Sequence, residues 1–271
     1  MGGHEFDRLD GNEVLCDFIL GLAGTASPRI CLLPTASGDP DDQITRFRRS
    51  FGSRGAEATD ISLFRLGDSP VDLETHFLTQ DVIYVGGGSL LNLIAVWGAH
   101  GIYGLLCEAL AAGVLVCGQS AGAMCWFEQG ITTSSGAPEL ADGLGLLPGS
   151  LCVHYHRDPE RRDAYLAAVA AGTPDGYGAD DQTALLFEDG RLTRAVSARA
   201  GAGIWKVAAP DRDSTESAAA ASPGPDGRAV ETPLKVEDIS RRRTPAGPAS
   251  SLDDFRELSR WRAGSGIGRG R

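Results

Sequence analysis

Short apolar runs alternate with longer stretches of helical spacing along most of the chain. The first run, Ile30-Cys31-Leu32-Leu33, passes into Pro34-Thr35-Ala36-Ser37-Gly38, a cluster of turn-forming residues, so a buried strand feeding a loop is expected. Ile44, Phe47 and Phe51 then recur at helical spacing, with Asp41 and Asp42 placed to cap that helix. Ile61-Ser62-Leu63-Phe64 reads as a second strand, and Val82-Ile83-Tyr84-Val85 as a third that enters Gly86-Gly87-Gly88-Ser89 before a helix from Leu90. Val114-Leu115-Val116-Cys117 reads as a fourth, with another glycine-flanked turn behind it and a helical stretch over 123–129. Strand, loop, helix and strand in this cadence predict an α/β fold: a three-layer sandwich whose mainly parallel sheet carries helices on both faces. Ligands of such sheets sit beyond the carboxyl ends of the strands, so the turns at 34–38, 86–89 and 118–122 are expected to converge.

The far end of the domain reads differently. Ala184-Leu185-Leu186-Phe187 followed by Glu188-Asp189-Gly190 suggests a hairpin, and Ala195-Val196-Ser197, Ile204-Trp205-Lys206-Val207 and 230–236 suggest further, antiparallel strands. Residues 208–229, rich in Ala, Ser, Pro, Gly and Asp without periodicity, read as a flexible excursion. In the 271-residue chain a domain over 1–240 is expected, followed by a basic tail over 241–271 with one short helix at 252–261. That tail holds eight arginines against Asp253, Asp254 and Glu257, a local charge of +5 that leaves −16 on the first 240 residues.

Charge and cysteine usage remove several function classes. A net charge of −11 would repel the phosphate backbone over most of the surface, so nucleic acid is not an expected partner. No window approaches the apolar length of a membrane span, and the amino terminus lacks a basic patch ahead of an apolar stretch, so no membrane partner is expected. Cys16, Cys31, Cys107, Cys117, Cys125 and Cys152 show neither metal-ligand spacing nor a disulfide framework, and they fit a reducing cytoplasm. No metal and no organic cofactor is called for.

Chemistry concentrates at Gly118-Gln119-Ser120-Ala121-Gly122, a G-x-S-x-G pattern between a predicted strand and a predicted helix. A sharp turn of that kind pushes the serine outward and aligns the following N–H with the positive end of the helix, which presents Ser120 as a nucleophile. A serine hydroxyl needs a base, and the chain offers His4, His76, His100, His154 and His156. His154 and His156 follow the strand Leu151-Cys152-Val153, and His154 is the preferred base. Its position 34 residues after Ser120 disfavours the α/β-hydrolases, in which the acid and then the histidine come much later. Cys117 lies on the strand and not at the turn apex, so it reads as core and not as an alternative nucleophile.

Taken with Pro34-Thr35-Ala36-Ser37-Gly38-Asp39, Val85-Gly86-Gly87-Gly88-Ser89 and Gly145-Leu146-Leu147-Pro148-Gly149-Ser150 leading to His154-Tyr155, this turn resembles the aspartyl dipeptidases (peptidase E) and cyanophycinases. The likeness runs across nearly all of residues 2–239. It implies a class I glutamine amidotransferase-like fold, flavodoxin-like in its central sheet, and serine peptidase activity. It further implies Ser120 as nucleophile, His154 as base, and an oxyanion hole formed by the N–H groups of Gly88 and Ala121.

Two departures from the family pattern stand out. The family's histidine-orienting acid follows the elbow helix, whereas Thr132-Thr133-Ser134-Ser135-Gly136 has no carboxylate, so a hydroxyl of Ser134 or Ser135 is expected to take its place. Glu139 or Asp142 could do so only if the loop folds back. The opening Gly2-Gly3-His4-Glu5-Phe6 also stands where relatives have a full first strand, which predicts an unpaired position in the sheet.

An arginine after the histidine clamps the acidic residue of the substrate in family dipeptidases, and Arg157, Arg161 and Arg162 qualify, with Arg161 selected. The expected function is therefore hydrolysis of small peptides through an acyl-enzyme. The alternatives are a related amide hydrolase such as a cyanophycinase, or a catalytically weak member serving as a binding or regulatory module. A small peptide is the expected partner, and a homodimer is the assembly kept open.

Overall fold

The computed structural model describes residues 12–210 and 228–240. The predicted opening strand position, most of the 208–229 excursion and the whole basic tail lie outside the described residues.

Four short strands, β1 (Arg29–Leu33), β2 (Glu57–Asp60), β3 (Val82–Val85) and β4 (Leu115–Gly118), form a parallel sheet in the order β2-β1-β3-β4. Alternate side chains of a strand point to opposite faces, so a strand buried on both sides is apolar throughout. Ile30, Leu32, Val82 and Tyr84 pack on one face with Cys16 and Ile19 of α1 (Asn12–Ala23) and with Ile44, Phe47 and Phe51 of α2 (Asp41–Gly52). Cys31, Leu33, Ile83 and Val85 pack on the other with Phe77 of α3 (Leu73–Leu78), Leu90, Leu93 and Trp97 of α4 (Leu90–His100) and Leu106 of α5 (Ile102–Ala111). Each fully buried side chain of this size contributes about 1.5–3 kcal/mol, and the two apolar faces explain the predicted helix layers.

After β4 comes the four-residue helix α6 (Ala121–Met124), and a second sheet then begins. Its strands are β5 (Phe127–Thr132), β6 (Glu139–Asp142), β7 (Leu147–Val153), β8 (Gly176–Ala179), β11 (Ile204–Ala208) and β12 (Val230–Pro233), in the order β12-β11-β8-β7-β5-β6. Pairs β5/β7 and β7/β8 are parallel, and the remaining pairs are antiparallel. Helix α7 (Pro159–Ala171) covers one face through Tyr165, Leu166 and Val169, while Leu151, Val153 and Ala179 join the core of the first sheet on the other. The hairpin β9 (Thr183–Glu188) and β10 (Arg191–Ser197) pairs with β13 (Glu237–Asp238) to make a third, small sheet. The parallel core is thus flanked by mixed sheets.

Three local expectations need correction. The second strand is Glu57–Asp60 and not 61–64: it is an edge strand, half exposed and therefore not an apolar run, while Ile61 and Leu63 are buried beyond its end. The helix predicted over 123–129 is the single turn of α6, because Phe127 to Thr132 pair with β6 and β7. Asp41 and Asp42 do not cap α2, whose N-cap is Pro40; they form ion pairs with Arg65 and Arg46.

Candidate active site

Every turn predicted to converge does so at the carboxyl end of the parallel sheet. Ser120 separates β4 from α6 in a backbone conformation with φ 52° and ψ −118°, sparsely populated for any residue with a side chain. Such a conformation costs about 1–3 kcal/mol and persists because the surroundings leave no alternative. Helix α6 is pressed onto β3 so closely that a Cβ on Gly122 would stand 2.4 Å from the carbonyl oxygen of Val85. Gly88 has φ +147°, and a Cβ there would stand 2.2 Å from the carbonyl oxygen of Ala36, so the 86–89 turn is seated on the 34–38 turn. On the remaining side, a Cβ on Gly87 would lie 3.2 Å from Cβ of Ser120.

His154 directly follows β7 and is also left-handed, with φ +59°. Its Nε2 lies 3.0 Å from the Ser120 hydroxyl oxygen, and its Nδ1 lies 2.5 Å from Oδ1 of Asp181. Asp181 sits in the loop between β8 and β9, with its side chain only 5% exposed, and its second oxygen accepts from Nη1 of Arg157 at 3.2 Å. The spacing brings an alcohol, an imidazole and a carboxylate into one hydrogen-bonded line. With Nδ1 protonated and donating to Asp181, Nε2 is left to accept the Ser120 proton, and the buried carboxylate offsets the charge that follows.

The third position of that line corrects the expectation for Ser134 and Ser135. The Ser134 hydroxyl bonds that of Thr132 at 2.7 Å, the exposed Ser135 bonds Glu139, and Asp142 accepts from Gln129. Asp181 lies 27 residues beyond His154, too far along the chain for spacing to link the two. The available signal was the Asp180-Asp181 doublet directly after Gly176-Tyr177-Gly178-Ala179, a strand end in a fold whose ligands gather at strand ends.

Ala121 directly follows Ser120, and Gly88 directly follows Gly87, the glycine whose Cβ position falls 3.2 Å from Cβ of Ser120. Among the described residues no hydrogen bond uses the N–H of Gly88 or Ala121, while the neighbouring Gly86, Ser89 and Gly122 N–H groups all donate to backbone carbonyls. Arg161, in contrast, is buried in the first turn of α7, where Nη2 donates to Thr133 at 2.6 Å and Nε lies 3.2 Å from Asp158. Arg162 is held by Glu231. Of the three arginines, Arg157 is the one that meets the Ser120–His154–Asp181 line. Cys117 is half-buried against the apolar side chains of the first sheet, and desolvation there pushes its thiol up to about 12, away from an activated nucleophile. Among the described residues no group of three or more His, Cys, Asp or Glu is arranged to hold a metal ion.

Comparison with known proteins identifies the fold and the family. Two solved structures share the fold: a Listeria monocytogenes EGD-e protein assigned to peptidase E, with TM-score 0.53, 20% identity and coverage of 68% of this chain and 94% of that one; and a peptidase from an acI-B1 Actinobacterium, with TM-score 0.52, 18% identity and coverage of 77% and 85%. The cyanophycinase of Trichormus variabilis is 29% identical over 205 residues, 71% of this chain and 68% of its own length. An uncharacterized peptidase of Bacillus subtilis strain 168, YgaJ, is 42% identical over 208 residues, 76% of this chain and 90% of its own length. Residues 1–195 match peptidase family S51. By that match and by the YgaJ relationship, the chain belongs to peptidase family S51.

Proposed function

We propose that this member of family S51 is a serine-type hydrolase of small peptides, with Ser120 as nucleophile, His154 as general base and acid, and Asp181 as the group that fixes the imidazole. The observation that carries this reading is the unbroken line from the Ser120 hydroxyl through His154 to the buried carboxylate of Asp181. Ser120 Oγ attacks the scissile carbonyl as Nε2 removes its proton, and the carbonyl oxygen becomes an oxyanion facing the N–H groups of Gly88 and Ala121. Collapse of the tetrahedral species breaks the C–N bond, and the leaving amine takes the proton from Nε2. Water, deprotonated by the same nitrogen, then cleaves the ester and restores Ser120. No step calls for a metal or an organic cofactor.

The substrate side of the reading is a dipeptide with an acidic first residue. Arg157 supports it: its side chain is 60% exposed and its guanidinium already meets Asp181 beside the imidazole, whereas Arg161 is buried against Thr133 and Asp158. A cyanophycinase-like action on an Asp/Arg polymer is the second reading, favoured by the 29% identity to cyanophycinases.

A panel of Asp-X, Glu-X and neutral dipeptides, together with the Asp/Arg polymer, separates these readings when offered to the wild type and to Ser120→Ala. Turnover of acidic dipeptides that disappears in the variant is the expected result, matched by Ser120-dependent labelling with a fluorophosphonate. Turnover of the polymer alone would select the second reading. Absence of both turnover and labelling would remove serine catalysis and leave a binding role.

A further inference from the structure

The acid next to Asp181 is also buried and also faces the histidine turn, but it does not touch His154. Asp180 is 6% exposed. Its Oδ1 accepts the backbone N–H of His156 at 3.1 Å and lies 3.0 Å from Nδ1 of that ring, while its Oδ2 accepts the N–H of Gly203 at 3.0 Å. Its own N–H donates to the Gly203 carbonyl at 3.1 Å, and its carbonyl accepts the Thr183 hydroxyl at 2.7 Å. Asp180 therefore ties three segments together: the turn after β7, the start of β9 and the entry to β11.

The His156 ring it engages lies edge-on to Trp205 with centroids 4.3 Å apart, and Trp205 in turn stacks on Tyr155 at 5.6 Å. The Trp205 ring occupies the space where a Cβ on Gly203 would fall, 2.5 Å away. The result is an aromatic support, half-exposed at His156, two residues along from a strained one, since His154 has φ +59° and the Asp158 N–H closes the turn onto its carbonyl at 2.9 Å. A left-handed imidazole-bearing residue keeps its conformation only where its neighbours are held. Two adjacent buried carboxylates repel each other, so each needs donors of its own. Here they divide the turn between them: Asp181 holds the ring of residue 154, and Asp180 holds the backbone two residues on.

We propose that Asp180 is a positioning residue for His154, an inference that rests on the Ser120–His154–Asp181 reading given above. By gripping the His156 N–H, it keeps residue 154 left-handed, so that Nε2 stays within reach of Ser120 and Nδ1 within reach of Asp181. A displacement of about 1 Å at such a group is enough to lose about 10²-fold in rate.

The test compares full-length wild type with Asp180→Ala and Asp180→Asn. One readout is kcat and KM on the preferred dipeptide. The other is the proton NMR resonance of the His154 Nδ1–H, which a 2.5 Å bond to Asp181 places far downfield and which His154→Gln identifies by its loss. Asp180→Ala is expected to remain folded, to lose about 10²-fold in kcat with KM nearly unchanged, and to shift or broaden that resonance. Asp180→Asn, whose carbonyl oxygen can still accept the His156 N–H, is expected to recover about tenfold of the loss. Wild-type kcat with an unmoved resonance in Asp180→Ala would overturn the proposal. So would a loss that follows only the unfolded fraction and that Asp180→Asn does not repair. If turnover proves independent of Ser120, the catalytic reading falls by itself; a resonance shift in Asp180→Ala still supports positioning, and an unchanged one refutes it.

Discussion

At the scale of single residues, the site depends on two backbone strains and one short hydrogen bond. Ser120 and His154 both have positive φ, and the 2.5 Å contact with Asp181 selects the His154 tautomer that leaves Nε2 facing Ser120. Replacing Asp181 by Asn keeps the shape but offers an amide that can stabilise the wrong tautomer. Asp181→Asn is therefore expected to lose about 10⁴-fold in kcat, measured by steady-state hydrolysis. Ser135→Ala removes a hydroxyl that is exposed and engaged with Glu139, so activity within about twofold of wild type is expected in the same assay. An inverted result would return the third position to the 132–136 segment. Ser120 and His154 were legible in the sequence because their signals are local: a strand, a sharp turn, and a histidine at the end of a strand. Asp181 and Arg157 were not distinguished, because no local pattern says which loop or which arginine faces the imidazole.

At the scale of elements, the segments the sequence marked well are those buried on both faces, such as β1 and β3, whose apolar runs need no periodicity to stand out. Edge strand β2 carries no apolar run, because Glu57 is exposed and its other three residues are only half-buried. Strand β12 is another exposed element, held by its backbone pairing with β11 and also by charge. The hydroxyl of Tyr155 donates to Glu231 at 2.6 Å, and Arg162 of α7 donates to both oxygens of the same carboxylate. Burial raises the Glu231 pKa, but the bonds from Arg162 and Tyr155 together outweigh it and hold the group below its usual 4.5. A carboxylate depressed in the folded state stabilises the fold above its unfolded pKa, and that contribution disappears as pH falls through the folded value. The thermal midpoint of the wild type should thus exceed that of Glu231→Gln by about 3 °C at pH 7, with the gap closing as pH drops below 4.5. Unfolding scans of both proteins between pH 3 and 7 would show it. A gap that widens on acidification would contradict the assignment.

On the scale of the whole molecule, the site lies where two sheets meet. Ser120 follows β4 of the parallel sheet, whereas His154 and Asp181 follow β7 and β8 of the mixed one. What fixes their distance is the shared core, in which Val85 and Ile83 join Met124, Phe127, Leu151, Val153 and Ala179. Met124→Ala should cost about 2–5 kcal/mol by urea unfolding, because the side chain is 2% exposed and leaves a cavity. It should also lower kcat more than Phe47→Ala does, since Phe47 packs between α2 and the far face of the first sheet. Equal kcat losses at equal stability would mean that the two sheets hold their spacing without this core.

The alternation of buried strands and helices, the turn at Ser120 and the histidine at the end of a strand can all be read locally, because each depends on residues adjacent in the chain. Which acid and which arginine lie beside the imidazole depends on tertiary packing. Parallel pairing sets Val153 opposite Ala179, so the residues just beyond the two strands, His154 and then Asp180 and Asp181, emerge side by side. Helix α7 meanwhile turns Arg161 inward to Thr133 and leaves Arg157, ahead of its first turn, beside Asp181. Strand register and helix rotation are settled by long-range burial, which local spacing does not encode.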